Sequence, residues 1–168
     1  TQGWYKLDNF IIKQNEFINT TPISIFNVGH NKLQKQFIRN IFTQLDEIID
    51  LDFREMTTNN GSMLDIYHVN YSSSFSQNVI GQAISQRSSA GYWWEMIWKD
   101  SKLLGDINSN SNFNTIVHEI AHTLGLGHPY NDPFNKSWSS KDTIMSYNRG
   151  PDGWDTWFSQ ADINALIS

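Results

Sequence analysis

Residues 118–129 have the sequence HEIAHTLGLGHP, which follows the pattern H-E-x-x-H-x-x-G-x-x-H. His118 and His122 are four residues apart, so on a helix their rings project from one face, one turn apart. This spacing suits two imidazoles that bind one zinc ion. A positive φ at Gly125 would turn the chain sharply and let His128 return as a third ligand. Three protein ligands leave one coordination position open, as in a catalytic rather than a structural zinc site.

Glu119 follows the first predicted ligand directly. From there a carboxylate reaches water at the metal without binding the metal itself, and it is suited to take a proton from that water. The alternative, that the histidines only pack on an ordinary helix, is disfavoured because the pattern fixes five residues, and H-E-x-x-H alone would be a much weaker signal.

The composition excludes several classes of protein. The 168 residues are enough for one domain with a sizeable core. The net charge of −5 and the lack of any Lys/Arg run argue against a nucleic-acid partner. No cysteine is present, which excludes disulfides and thiolate metal sites. No apolar run approaches the roughly 18 residues of a membrane span. We therefore expect a protein that binds neither nucleic acid nor membrane.

Hydrophobic periodicity predicts a mixed sheet with a long helix behind it. Residues 31–50 have apolar side chains at three- and four-residue spacing, which predicts an amphipathic helix capped by Asn31. Alternation predicts strands over Ile23–Val28, Leu51–Met56, Met63–Val69, Val79–Gln86, Tyr92–Trp98 and Leu103–Asn108. Residues 4–19 suggest a short helix or an extended arm over the core. A second helix follows residues 109–112, and a closing helix follows Ser159.

The chain resembles the metzincin metalloproteases, in which the histidine pattern is followed downstream by a methionine turn. Residues 143–147, TIMSY, match that turn. Pro129 after the third histidine and the letters M-S-Y resemble the serralysin branch, whereas residues 158–163, FSQADI, are closer to the ending of the matrixins. The resemblance is specific over residues 112–147. Before that it is only an order of strands and helix.

The resemblance implies an α+β, zincin-like fold. Its parts are a mixed, twisted five-stranded sheet, a backing helix, an active-site helix, and a small C-terminal subdomain with the methionine turn and the closing helix. One catalytic domain would cover residues 1–168, with subdomains over about 1–128 and 129–168. Met145 would form a floor beneath the zinc ligands. Tyr147 would be an additional zinc ligand that also stabilises the oxyanion. The implied protein is a monomeric zinc endopeptidase that acts on protein or peptide substrates and is secreted by a bacterium.

The resemblance also implies that an extended substrate pairs with an edge strand. Our candidate is the strand Val79–Gln86, with Gly81, Gln82 and Ala83 facing the peptide. The segment 92–98 is either a flap beside it or a core strand. An apolar pocket would hold the side chain after the cut, and its candidate lining residues are Trp154, Trp157 and Phe158.

Some residues outside the motif keep two interpretations. The loop carboxylates Asp132, Asp142 and Asp152 either help to bind calcium or are simply solvated. His30 and His68 are expected to be structural or surface residues rather than ligands. Two rival functions also stay open. One is a catalytically silent zinc-binding adhesion or recognition module, against which Glu119 argues because such a module needs no base there. The other is a zinc hydrolase that acts on something other than protein.

Overall fold

The computed structural model describes residues 9–14, 16–20, 23–89, 91–101, 105 and 107–168. The described part contains seven strands and three α-helices. In chain order they are β1 (Asn9–Ile12), β2 (Glu16–Thr20), β3 (Ile23–Asn27), α1 (Lys32–Asp46), β4 (Arg54–Glu55), β5 (Leu64–Ser72), β6 (Gly81–Ser88), β7 (Gly91–Trp98), α2 (Asn110–Thr123) and α3 (Gln160–Leu166). The α+β class predicted from the sequence is confirmed.

The strands form one mixed sheet. β4, β1, β5 and β7 are parallel neighbours in that order, and β6 pairs antiparallel with β7. β2 and β3 form an antiparallel hairpin, and β3 pairs with the last residues of β5, beyond the part that β1 covers. The mixed sheet is therefore confirmed, but the expected number of five strands is wrong, because the hairpin brings the described strands to seven.

The start of the described chain differs from its prediction. Residues 9–12 are neither a helix nor an arm over the core, because they form β1 inside the sheet, between β4 and β5. Phe10 and Ile12 are buried in the main core. The strand predicted over residues 51–56 shrinks to Arg54–Glu55. Of the strand predicted over residues 103–108, positions 103, 104 and 106 lie outside the described residues, and Ile107 lies in a turn.

The predicted long helix is α1. Asn31 caps it as expected. Its side-chain oxygen accepts a hydrogen bond from the main-chain N–H of Gln34 at 2.8 Å, and Oε1 of Gln34 accepts one from the main-chain N–H of Asn31. This reciprocal capping box satisfies N–H groups that have no partner within a helix.

The main core lies between one face of the sheet and the helices α1 and α2. Alternate residues of each strand point to that face. The fully buried members of the core include Ile38, Ile41, Leu45, Leu64, Ile66, Met96, Trp98, Ile116, Val117 and Ile120. A smaller cluster around Tyr67 and Ile97 covers the other face. β7 lies between β5 and β6, so the segment 92–98 is a core strand rather than a flap.

The helix α2 packs on β6 and β7, next to the edge of the sheet. In the described residues β6 pairs with β7 alone, which makes it an edge strand, as predicted. The long segment between α2 and α3 contains only a short 3₁₀ turn, Pro129–Asn131. None of the helices in the described ranges has the length and apolar character needed to cross a membrane.

Candidate metal centre

The three histidines of the motif converge at the end of α2. Ser109 caps the start of this helix, and Leu124 ends it. One ligand atom from each of His118, His122 and His128 lies within 4.8 Å of the others. Among the described residues, this is the only group of three or more His, Cys, Asp or Glu side chains that is close enough to hold a metal ion.

The turn after α2 brings the third histidine back. Gly125 has a φ of 96°, which is positive as predicted. A residue with a side chain would be strained in this conformation. Gly125 N–H donates to His122 O and Leu126 N–H donates to Ala121 O, both at 3.0 Å. These two bonds form a Schellman motif. Leu126 is thereby positioned to accept, through its carbonyl, a 2.8 Å hydrogen bond from Nδ1 of His122.

Hydrogen bonds to main-chain carbonyls orient two of the rings. Nδ1 of His118 donates to Ile144 O at 2.8 Å, and Nδ1 of His122 donates to Leu126 O at the same distance. Because Nδ1 has the proton in each ring, Nε2 has a free lone pair. Carbonyl partners of this kind commonly orient histidine metal ligands.

The spacing of the imidazoles fits a tetrahedral metal ion. Nε2 of His118 and Nε2 of His128 are 3.3 Å apart. Burial lowers the pKa of all three rings, that of His118 to about 3, so their lone pairs are free near neutral pH. Nε2 of His128 therefore either donates a hydrogen bond to Nε2 of His118 or shares a cation with it. Tetrahedral ligands at about 2.0–2.1 Å from zinc would be about 3.3–3.4 Å apart, so the donor set and the distance between His118 and His128 fit zinc.

Glu119 points from α2 toward the edge strand. It is 5% exposed, and the main-chain N–H of Ala83 donates to its carboxylate. Burial raises the pKa of Glu119 to about 8, and the bond from Ala83 opposes that rise. Gly81 makes this approach possible, because a Cβ there would lie 2.8 Å from Cγ of Glu119 and 2.7 Å from Cγ2 of Thr115.

The methionine turn borders the histidines. Met145 is 2% exposed and belongs to the main core, together with Ile120 and Ala121 of α2. The ring centroid of Tyr147 lies 5.2 Å from that of His118 and 4.9 Å from that of His128. Burial, followed by the charge of Glu119, raises the pKa of the Tyr147 hydroxyl. The neutral phenol is therefore a hydrogen-bond donor next to the trio.

Asp162 of α3 fixes the methionine turn, which the sequence analysis did not foresee. This carboxylate is 4% exposed. It accepts hydrogen bonds from Oγ1 of Thr143 at 2.6 Å and from the main-chain N–H of Ile144 at 2.8 Å. Ile144 in turn accepts the bond that orients His118. The sequence signal for this role is the capping box between Ser159 and Asp162, because it orients the Asp162 side chain toward the residues before α3.

A cavity of about 520 Å³ opens beside the centre. Its walls come from the segment leading into β6, from one face of α2 and from the loops after His128. Its lining residues are Asn78, Val79, Ile80, Gly81, Ser111, Asn114, Thr115, His118, Glu119, Phe134, Ser146, Tyr147 and Trp154. The volume lies within the usual range for ligand pockets. Phe134, which the sequence analysis missed, is one of these lining residues, and its ring packs on Tyr147 with the centroids 5.1 Å apart.

The predicted substrate-binding residues divide between this cavity and other places. Gly81 and Trp154 line the cavity, and Ala83 contacts Glu119. Trp157 instead lies in a separate depression with Lys141 and packs against the main core, which also contains Phe158. Gln82 lies in β6 opposite Ile97, and its Oε1 is buried without a hydrogen-bond partner among the described residues.

The loop aspartates have local roles instead of forming a cluster. Asp142 accepts hydrogen bonds from the N–H and Oγ of Ser139, and these bonds lower the pKa of Asp142. Asp152 lies 3.8 Å from the ammonium of Lys141. Within the described ranges neither these two nor Asp132 belongs to a group of three side chains that could hold a metal ion.

The edge of β6 offers main-chain groups to a peptide. Since Ile80 O accepts from Lys99 N–H of the chain following β7, the main-chain groups of residues 81, 83 and 85 face away from β7. Among them, the N–H of Ala83 is bonded to Glu119, and Gly81 lines the cavity.

No family model matches the chain, and no curated protein matches it in sequence. The functional argument therefore depends on the motif and on the geometry of the centre.

Proposed function

We propose that this protein is a zinc-dependent endopeptidase with a metzincin fold, from the serralysin and matrixin branch. One observation supports the proposal: three imidazoles each bring one ring nitrogen within 4.8 Å of the others, beside a buried carboxylate and near a strand edge that pairs with no further strand among the described residues. A binding module would need the histidines but neither Glu119 nor the edge beside it.

His118, His122 and His128 would hold the zinc, with Tyr147 as an additional ligand. When bound, zinc supplies a Lewis acid that polarises the scissile carbonyl and makes water more acidic. A cation held there would also lower the pKa of Glu119 from the value of about 8 that burial gives the carboxyl.

Glu119 is the general base in this proposal. It takes a proton from the attacking water and returns it to the leaving amine, and a base or acid with a pKa near neutrality suits both transfers. The Ala83 N–H and the close packing of Gly81 hold the carboxylate in one place. Tyr147 donates a hydrogen bond to the oxyanion that forms on the substrate carbonyl.

The substrate would bind in an extended conformation along β6. Its main chain pairs with the outward-facing groups of Gly81 and with the carbonyl of Ala83, whose N–H stays bonded to Glu119, and this pairing orients the scissile bond over Glu119. The side chain after the cut enters the cavity between α2 and the loop of Trp154. Secretion by a bacterium and a monomeric state are further proposals that depend on the family resemblance alone.

The test is hydrolysis of casein and of quenched fluorogenic peptides by the zinc-loaded protein. We expect cleavage that a zinc chelator removes and that added zinc restores. In Glu119→Gln we expect kcat to fall by about 10²–10⁴-fold while one zinc per chain is retained. Cleavage that survives either treatment contradicts the mechanism. Bound zinc with no cleavage of any peptide favours the recognition module, whereas zinc-dependent hydrolysis of only non-peptide esters or amides favours the other hydrolase.

A further inference from the structure

The cavity continues along α2, away from the metal centre. Ser111, Asn114, Thr115 and His118 lie three or four residues apart and therefore share one helix face. The distance from His118 to Ser111 is two turns, or about 10 Å along the axis. The catalytic groups are at one end of this wall, and Ser111 and Asn114 are at the other.

The far end of the cavity has polar atoms without partners. Asn114 is 6% exposed and Ser111 is 9% exposed. Nδ2 of Asn114 donates to Asp155 O at 2.7 Å, which fixes the amide and identifies Oδ1 as the free atom. Within the described part of the chain, neither Oδ1 of Asn114 nor Oγ of Ser111 has a hydrogen-bond partner. Both side chains line the cavity, so these two atoms are open to water or to a polar group of a ligand that replaces the water.

The walls between the two ends are largely apolar. Val79 and Ile80 line one side, and Phe134 and Trp154 line another. The only acidic side chain in the lining is Glu119, at the catalytic end. A cationic tip would therefore lose its hydration without meeting a carboxylate at the far end. An entirely apolar side chain would displace water from Asn114 and Ser111 and return no hydrogen bond.

We propose that Ser111 and Asn114 select, at the substrate position following the cut, a long side chain with an apolar body and a neutral hydrogen-bonding tip, with tyrosine preferred over phenylalanine. The ring contacts the apolar walls, and the hydroxyl donates to Oδ1 of Asn114 and accepts from Oγ of Ser111. This inference depends on the proposed peptidase function. It changes the expected specificity from a purely apolar pocket to one that recognises a polar tip.

The first experiment measures kcat/KM of the zinc-loaded protein on four fluorogenic peptides. The peptides differ only at the residue after the cut, which is Tyr, Phe, Leu or Lys. We expect Tyr to exceed Phe by about tenfold, which corresponds to one hydrogen bond of about 1.4 kcal/mol, and we expect Lys to be the poorest. Equal rates for Tyr and Phe, or a faster Phe peptide, would overturn the inference and leave the peptidase function intact. If none of the peptides is cleaved, the proposed function itself fails.

The second experiment compares variants by the ratio of the Tyr rate to the Phe rate. Asn114→Leu and Ser111→Ala should each reduce that ratio toward one. Ser111→Ala leaves the bond to Asp155 intact, so it tests the inference even if Asn114→Leu disturbs the loop or fails to fold. The matched control is Asn110→Leu, the same change at an exposed position of α2 outside the cavity lining, which should keep the ratio. A ratio that is unchanged in Ser111→Ala and in a folded Asn114→Leu contradicts the assignment.

Discussion

The histidines form two clusters, one around Trp98 and one at the end of α2, and the clusters differ in what their ring nitrogens contact. Burial lowers the pKa of His30 in one cluster and of His118 in the other to about 3. In the first cluster, Nε2 of His30 accepts from Nε1 of Trp98 at 3.0 Å, and Nδ1 of His68 donates to Gly29 O at 2.8 Å. The ring of His68 stacks on Trp98 with centroids 3.9 Å apart.

In the motif cluster Nδ1 of His118 and Nδ1 of His122 are bonded to carbonyls, and Nε2 of His118 lies 3.3 Å from Nε2 of His128. A lowered pKa is therefore shared by both clusters and does not identify a metal site. What distinguishes the motif cluster is that ring nitrogens of three histidines lie within 4.8 Å of one another. The expectation that His30 and His68 are not ligands agrees with this difference.

Removing one histidine from each cluster should separate their roles most strongly. In His122→Ala we expect zinc affinity to fall by about 10³-fold, because one of three protein ligands is lost, and peptide hydrolysis to fall with it. In His30→Gln, whose amide oxygen still accepts from Trp98, zinc affinity should be unchanged. Competition with a chromophoric chelator measures both. Loss of zinc in His30→Gln, or its retention in His122→Ala, would show that the clusters are wrongly distinguished.

A methyl group at Gly81 should disturb the catalytic carboxylate without removing the metal. In Gly81→Ala the new Cβ meets Cγ of Glu119 and Cγ2 of Thr115 below 3 Å, so Glu119 must shift. We expect kcat/KM to fall by about 10²-fold, the usual cost of misplacing a catalytic group by about 1 Å. Gly127→Ala is the control, because a Cβ there meets nothing within 4 Å. The idea fails if both variants are equally active, with zinc content checked by atomic emission.

Weakening the bonds by which Asp162 indirectly orients His118 should have a smaller effect on the metal centre. In Asp162→Asn the acceptor for Thr143 or Ile144 is weakened, so the turn that orients His118 loosens. We expect about a 10-fold loss of zinc affinity, at the lower end of the range for outer-shell partners of metal ligands. Asp142→Asn is the matched control on an exposed turn. Equal zinc affinities in the two variants would remove Asp162 from the site.

The burial of neutral His30 in the first cluster should affect the pH dependence of the free energy of unfolding and not the activity. Because the folded pKa of His30 is about 3, below the ordinary histidine value of 6.5, the unfolded state binds a proton first as the pH falls. The stabilising contribution of neutral His30 is present above pH 6.5 and is lost progressively between pH 6.5 and 3. Between pH 7.5 and 5 this loss is about 2 kcal/mol.

Urea unfolding of the zinc-free protein at pH 7.5 and 5 measures this loss. His30→Gln should lose about 2 kcal/mol less than the wild type over that interval, since the other titrating groups are common to both. Identical losses would mean that His30 is not buried as a neutral ring.

The sequence predicted best where the chemistry depends on local spacing. The face shared by His118 and His122 and the positive φ of Gly125 follow from positions within one helix and one turn. The sequence did not predict β1, because four residues rich in apolar side chains fit a strand or a helix equally well. Their burial depends on β4 and β5, which are more than forty residues away.

Neither the cavity nor its support could be predicted in full. Trp154 and Trp157 are three residues apart in irregular chain, where no period tells which side chain faces the cavity and which faces the core. Asp162 is 19 residues from Thr143 and 18 from Ile144. Contacts of that kind are set by packing of the whole domain, so the motif does not predict them.

X-ray absorption of the zinc-reconstituted protein at the zinc edge tests the central claim most directly. The account predicts one zinc per chain with three imidazole nitrogens at about 2.0–2.1 Å and the remaining positions filled by oxygen, and the loss of one nitrogen in His122→Ala but none in His30→Gln. A protein that binds no zinc, or whose zinc signal changes in His30→Gln and not in His122→Ala, would contradict it.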